Sequence, residues 1–305
     1  MYINLKYYNM ENKFNEVANK VNNIADDTYH NLMRDILSYG KIKENRTVTR
    51  TLSLFGPQLR FKMNEGFPLI TTRKIHWKSV VGELLWFLSG NTNKFELKEK
   101  YGVSIWDEWG NNETGELGPI YGKQWINWEH TILNEDNILI TKSINQLQNV
   151  INKLQTNPDD RRLIVTAWNP GEIDLMSLPP CHWSFQFYSV INNKGERELS
   201  IIMNIRSWDV FLGGPFNIAE YALLLMMVAK QVNMIPYELI INAGDAHIYQ
   251  DHIPYVKEQL LRESFPSPTI YLNPEIKNIF DYTTNDIKLI NYVSHSNWKN
   301  ISVAV

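Results

Sequence analysis

Apolar and polar positions follow two different periods along the chain. Residues 28–40 carry Leu32, Ile36 and Leu37 at helical spacing. Residues 76–89 are almost wholly apolar, with one acid, Glu83, between Val80-Val81 and Leu84-Leu85-Trp86-Phe87. Residues 143–154 are amphipathic and run into Asn157-Pro158-Asp159-Asp160, and residues 217–233 are rich in Leu and Met. These four segments predict helices. Period-two alternation over Leu52-Ser53-Leu54-Phe55 and Gln58-Leu59-Arg60-Phe61 predicts strands, as do short apolar runs at 163–168, 184–190, 199–205 and 238–242. Asn192-Asn193-Lys194-Gly195 marks a hairpin turn between two of these runs. No internal repeat and no Gly/Ser-rich linker interrupts the order. The pattern predicts an α+β fold, a single domain with one mixed β-sheet flanked by helices. Residues 1–27, polar and rich in Asn and Lys, read as a loosely held N-terminal arm or short helix.

Composition narrows the class. A length of 305 residues with 44% apolar and 12% aromatic side chains supports a sizeable core. Ten Trp and fifteen Tyr supply rings with a polar handle, which suit pockets and interfaces. The formal charge of -3 argues against a general binder of nucleic-acid polymers, so any anion site must be local. No apolar run reaches a membrane span, and no signal-peptide core stands at the N-terminus, so a cytoplasmic location is expected. The lone cysteine, Cys181, cannot make an intrachain disulfide and makes a poor metal site without a Cys or His cluster, so no metal is expected.

Cys181 stands in Leu178-Pro179-Pro180-Cys181-His182 and reads as an inert buried thiol or as a nucleophile. The second reading gains from Arg161, Arg162 and Arg206, since positive charge activates a thiol. Arg206-Ser207-Trp208-Asp209 leads through Gly213-Gly214-Pro215 to Phe216-Asn217 at a helix start. Arg suits phosphate, the glycines admit a ligand close to backbone, and Asn217 can read both a donor and an acceptor on a planar base; an ordinary Asn cap is the alternative. Asp160-Arg161-Arg162 is solvated charge or a phosphate clamp shared across a dimer. His247 and Tyr249 alternate on an extended segment and so point the same way, to hold a hydroxyl or to fill the core. Glu83 is a buried acid/base or an edge residue with a basic partner. Ile105-Trp106-Asp107-Glu108-Trp109 stacks on a ring system or belongs to the core.

Taken together, these segments resemble thymidylate synthase from about Tyr29 to Val305. The ordered blocks that carry the resemblance are Leu84-Leu85-Trp86-Phe87-Leu88, Ile105–Trp109, Leu117-Gly118-Pro119-Ile120-Tyr121-Gly122-Lys123-Gln124-Trp125, Arg161-Arg162, Pro179-Pro180-Cys181-His182, Pro215–Ala219 and Asp245–Tyr249. The short stretch after Trp125 is similar to the compact bacterial form. The resemblance implies a catalytic domain over 28–305 in a homodimer whose sheets pack back to back. It implies reductive methylation of dUMP to dTMP, with 5,10-methylenetetrahydrofolate as co-substrate and a covalent bond from Cys181 to C6. It implies a catalytic set of Cys181, Glu83, Tyr121, Arg206, Asn217 and Asp209. The nucleotide would be held by Arg46, Arg206, Ser207, Asn217, His247 and Tyr249, with Arg161 and Arg162 of the partner subunit. The folate would face His76, Ile105, Trp106, Asp209, Gly213 and Phe216, with Ala304 and Val305 closing over it.

Asn217 favours uracil, because the related dCMP hydroxymethylase carries Asp there. Several positions depart from the family pattern. Val48 and Arg50 replace glycines of the phosphate loop, and Ile205, Trp183 and Trp208 replace smaller or polar residues, which together reshape the wall around the reacting carbon. These departures keep a second product in view, 5-hydroxymethyl-dUMP, made when water instead of hydride captures the methylene intermediate. The Val303-Ala304-Val305 terminus resembles a synthase lid and favours hydride. A non-catalytic RNA-binding or scaffold role fits poorly with the negative charge and the intact Cys181, Arg206 and Asn217 set.

Overall fold

One mixed sheet organises the chain, and its two faces have opposite character. The computed structural model describes residues 23–45, 49–299 and 301, and every structural statement concerns those residues. Helix α1 (Ile24–Tyr39) is followed by strands β1 (Lys41–Lys43), β2 (Thr51–Phe55) and β3 (Gln58–Lys62). Next come helices α2 (Trp77–Leu88), α3 (Lys94–Tyr101) and α4 (Tyr121–Ile126), the hairpin β4 (Trp128–Leu133) with β5 (Leu139–Ile144), and helix α5 (Gln146–Thr156). Strands β6 (Ile164–Thr166), β7 (His182–Ile191) and β8 (Arg197–Asp209) lead to helix α6 (Gly214–Gln231) and strand β9 (Ile235–Tyr249). Helix α7 (Ile253–Gln259) and the hairpin β10 (Thr269–Leu272) with β11 (Ile287–Ile290) complete the order.

The main sheet runs β1-β2-β9-β8-β7-β6, with β3 also on β9. All its pairs are antiparallel except β8 with β9. A parallel pair needs a long crossover, and α6 supplies it. The expected α+β class with a mixed sheet is what the chain adopts, and two small two-stranded sheets are added to it.

Alternation decides which face is core. Leu59 and Phe61, Phe185 and Phe187, Ile201, Met203 and Ile205, and Leu239 and Ile241 point to one side and are buried. Helices α1 and α6 contact the sheet, and α2 packs on α6. Helix α6 is buried almost all round, as expected of a helix apolar on every side. The opposite face carries a polar ladder across four strands: Gln58 Nε2 donates to Asn242 Oδ1 (2.7 Å), Asn242 Nδ2 to Asn204 Oδ1 (3.2 Å), and Asn204 Nδ2 to Ser184 Oγ (3.1 Å). Beside it, Ile164, Tyr188 and Val190 are exposed.

Several boundaries move from the sequence expectation. The first helix starts at Ile24 rather than 28, because Asn23 caps it by accepting from the backbone amides of Ala25 and Asp26, while its amide donates to Phe265 O (2.8 Å). Asp26, wholly buried, then accepts from Thr71 N (3.0 Å), so residues 23–27 belong to the packed fold. The helix expected from 143 begins at Gln146, since residues 139–144 pair with β4. The strand expected at 163–168 shortens to three residues.

Candidate active site

Cys181 sits immediately before β7, where a ladder bond between Arg206 N and Cys181 O (2.8 Å) ties it to β8. The two prolines ahead of it have no N–H to donate, but their carbonyls are used. Arg206 Nε donates to Pro180 O (3.0 Å) and Nη2 to Pro179 O (2.8 Å), which fixes the guanidinium with Nη2 4.0 Å from Cys181 Sγ. From the other side Cys181 N donates to the Tyr121 hydroxyl (2.6 Å). The register of β7 on β8 shifts between His182 and Ser184, the kind of bulge that re-aims a side chain at a sheet end.

Below the sulfur lies an aromatic wall. The Tyr121 ring stacks on His182 with centroids 4.2 Å apart, and Phe87 of α2 lies 4.9 Å from Tyr121. His182 Nδ1 pairs with the Tyr221 hydroxyl (2.8 Å). Burial holds the imidazole neutral, down to about 3, and raises the Tyr121 phenol well above its ordinary value, with the Cys181 charge adding to the rise. Tyr121 gets there because Gly118 has positive φ and a Cβ would collide with the Leu175 carbonyl, so the Leu117–Tyr121 segment can lie flat against residues 173–178.

Glu83 reaches this wall from α2. The sequence left open a basic partner; no described Lys or Arg forms an ion pair with it, and Trp106 Nε1 donates to its Oε1 (2.7 Å). Desolvation lifts the carboxyl from 4.5 to about 7, partly opposed by the indole hydrogen bond. Trp106 is buried against Trp86 and Trp109, both at 5.8 Å, so the cluster around it is core at its back and cleft at Glu83. A cysteine beside a guanidinium, a phenol at its backbone and an acid titrating near neutrality form a constellation for nucleophilic attack with proton transfer.

The thymidylate synthase family model matches residues 27–305. The chain belongs to the thymidylate synthase family. Its mixed sheet flanked by helices is the fold of that family.

The remaining expected residues fall into three groups. Some gather at the ends of β8 and β9 beside Cys181. Ser207 faces Asp245 across the parallel pair, and Asp209 faces His247. His247 Nδ1 lies 3.2 Å from Asp245 Oδ1, which also accepts from Ser53 Oγ (2.6 Å), while Lys43 pairs with Asp245 Oδ2. The His247 partner is the largest of several donors that hold the Asp245 carboxyl far below the usual carboxylate range. Tyr249 lies edge-on to His247 at 5.4 Å. Asp209 Oδ1 accepts from Phe211 N (3.1 Å) and Leu212 N (3.0 Å), which closes the turn that presents Gly213, Phe216 and Asn217 at the start of α6. Asn217 and Ser207 are half-buried, and neither side chain makes a hydrogen bond among the described residues. Among the residues expected to face folate, His76 and Ile105 are exposed, and Gly213 and Phe216 are half-buried.

A second group stands apart from that cleft. Arg161 and Arg162 are exposed; Arg162 Nε pairs with Asp160 Oδ1 (3.1 Å), and Arg161 borders a hollow with Gln186, Tyr188 and Arg197. The third group, Arg46, Val48, Val303, Ala304 and Val305, lies outside the described residues.

The departures from the family pattern resolve individually. Arg50 pairs with Glu44 (2.7 Å) instead of adding a lone charge. Ile205 and Trp208 are buried in the core, and Trp208 packs on Gly214. Trp183 is 39% exposed. Ile205 pairs with His182 in the β7–β8 ladder, next to Cys181, while Trp183 lies at the bulge between His182 and Ser184.

Sequence reasoning missed three groups near the cleft. His182 was quoted only as a neighbour of the cysteine. Glu220, buried in α6, shows the same signal that flagged Glu83, an acid inside an apolar run. Arg73, buried with its Nη2 on Leu212 O (3.3 Å) and its guanidinium 4.9 Å from the Phe211 ring, braces the turn before α6. Nothing in Thr71-Thr72-Arg73-Lys74 marks it.

Proposed function

We propose that the protein is a thymidylate synthase in the strict sense, converting dUMP to dTMP with 5,10-methylenetetrahydrofolate. The attack on the pyrimidine is carried by the Arg206 guanidinium fixed 4.0 Å from Cys181 Sγ by two proline carbonyls, and hydride over water is favoured by the resemblance of the Val303-Ala304-Val305 terminus to a synthase lid. The positive charge of the guanidinium favours the anionic sulfur that attacks C6 of uracil. As the S–C6 bond forms, the C5–C6 electron pair moves toward O4, and C5 becomes the nucleophile that accepts the one-carbon unit. The bound folate supplies that carbon and the hydride.

The protein's own groups do the rest. Asn217, half-buried with an unengaged amide, donates to O4 and accepts from N3–H. Glu83, near 7, exchanges a proton at O4 through water. Tyr121 takes part in removing the C5 proton, and Asp209 keeps the turn beneath Gly213 in place. Loss of the C5 proton breaks the bond between the new methylene carbon and the folate nitrogen, and hydride addition to that carbon then breaks the C6–S bond and releases Cys181. The phosphate falls to Arg206, Ser207 and Arg46, joined by Arg161 and Arg162 of the partner subunit, and the sugar to His247 and Tyr249. His76, Ile105, Trp106, Gly213 and Phe216 flank the folate, and Ala304 and Val305 close the cleft. Homodimerisation through the outer sheet face is supported by the exposed Ile164, Tyr188 and Val190 beside the polar ladder. A single thiol and no described helix long and apolar enough to cross a membrane suit a cytoplasmic enzyme.

The test is product identity. Incubation with dUMP and methylenetetrahydrofolate is expected to yield dTMP together with dihydrofolate, read by mass and absorbance. A product of 5-hydroxymethyl-dUMP without dihydrofolate would assign the water-capturing reaction instead, and no product from dUMP would refute both.

A further inference from the structure

Glu220 has no part in the reaction described above. It lies three residues after Asn217 and just before Tyr221, so these three side chains share one face of α6. Helix α6 packs on α2, which carries Glu83. Glu220 exposes 1% of its surface, and neither carboxyl oxygen has a hydrogen-bond partner among the described residues. No described Lys or Arg forms an ion pair with it, and the charge that reaches it is that of Glu83. The groups facing this pair are Trp106 from the loop after α3, Tyr121 of α4, Tyr221 of α6 itself and His182 of β7, with Cys181 and Arg206 at the mouth.

A carboxylate without a donor is not tolerated in such a place; a carboxylic acid is. We propose that Glu220 remains protonated and acts as a positioning acid for Glu83, its O–H donating toward the Glu83 carboxylate directly or through one water. Two carboxyls in one low-dielectric site release their protons in separate steps. Burial raises both, Glu220 further than Glu83, so Glu83 ionises first and its charge then holds the proton on Glu220. Glu83 can thus gain and lose a proton while its geometry stays fixed. The inference rests on the reading of Glu83 as the group that moves protons at the pyrimidine.

The test compares Glu220→Ala and Glu220→Gln with the wild type in the pH dependence of dUMP turnover, using Glu83→Gln to identify which limb belongs to Glu83. Removing the donor in Glu220→Ala is expected to raise the Glu83 midpoint by about one pH unit, a roughly tenfold change in proton affinity. Glu220→Gln keeps a donor of the same size and is expected to hold the midpoint within about half a pH unit. An unmoved midpoint in Glu220→Ala would make Glu220 a space-filler. A midpoint lowered in both variants would mean that Glu220 was charged. Either result overturns the proposal. Infrared titration of the ligand-free protein gives a second reading, independent of turnover. The wild type should keep one protonated-carboxyl band above the pH at which the Glu83 band disappears, and Glu220→Gln should lack it. If dUMP is not turned over, the functional reading fails while the infrared result still decides the state of Glu220; absence of the persistent band overturns the proposal.

Discussion

Replacing Glu83 by Gln tests the electrostatics of the cleft without any assumption about substrate. Folding raises the carboxyl from 4.5 to about 7, chiefly by desolvation. Between those values the folded chain binds more protons than the unfolded one, so the Glu83 contribution is fully present below pH 4.5 and is lost as pH rises through 7. At 1.36 kcal/mol per pH unit the whole effect is about 3 kcal/mol, an upper figure because part of the side chain faces the cleft. Gln cannot ionise, so the variant lacks this component. Urea unfolding of both proteins at pH 4.5 and 7.5, followed by tryptophan fluorescence at one protein concentration, isolates it. Titrations shared by both chains, such as the acid-side protonation of His182, cancel in the difference. The wild type is expected to lose up to about 3 kcal/mol relative to Glu83→Gln over that range. A difference below about 0.5 kcal/mol would show that Glu83 is not desolvated as described, and the proton-transfer role would fall with it.

Three further outcomes are expected. Cys181→Ala should lose turnover by at least about 10⁴-fold while binding dUMP within about threefold of the wild type by calorimetry; retained turnover would remove the nucleophile from the mechanism. Asn217→Asp should shift the kcat/KM ratio toward dCMP by about 100-fold or more, and an unchanged ratio would show that Asn217 does not read the base edge. Lys94 is buried with Nζ on Asp107 O (3.0 Å), Trp109 O (2.7 Å) and Asn112 Oδ1 (2.8 Å), so Lys94→Met should cost about 3 kcal/mol in denaturant unfolding and loosen the loop that holds Trp106. A cost under about 1 kcal/mol would contradict that bracing role.

Periodicity made the strong elements readable. Helices α2 and α6 and strands β7 and β8 were legible because each is a long run with one dominant period. The short polar helix α3 and the exposed hairpin of β4 and β5 were not, since neither buries a continuous apolar stripe. Glu83 stood out as a lone acid among Val and Leu, yet its identical twin in pattern, Glu220, passed unnoticed within the much longer run of α6. Arg206 was already linked to Cys181 by the motif blocks, but the 4.0 Å approach joins residues 25 apart in the chain through the β7–β8 pairing.

Residue order alone determined the class of fold, the family and the chemical types available at the cleft, because hydrophobic period and motif blocks are local properties. Only the tertiary structure decided that Arg206 is clamped by the carbonyls of Pro179 and Pro180, that Trp106 rather than a cation partners Glu83, and that Trp183 faces solvent while Trp208 faces the core. Those outcomes depend on strand register and on which groups are stripped of water, and both are set by contacts between segments far apart in the chain.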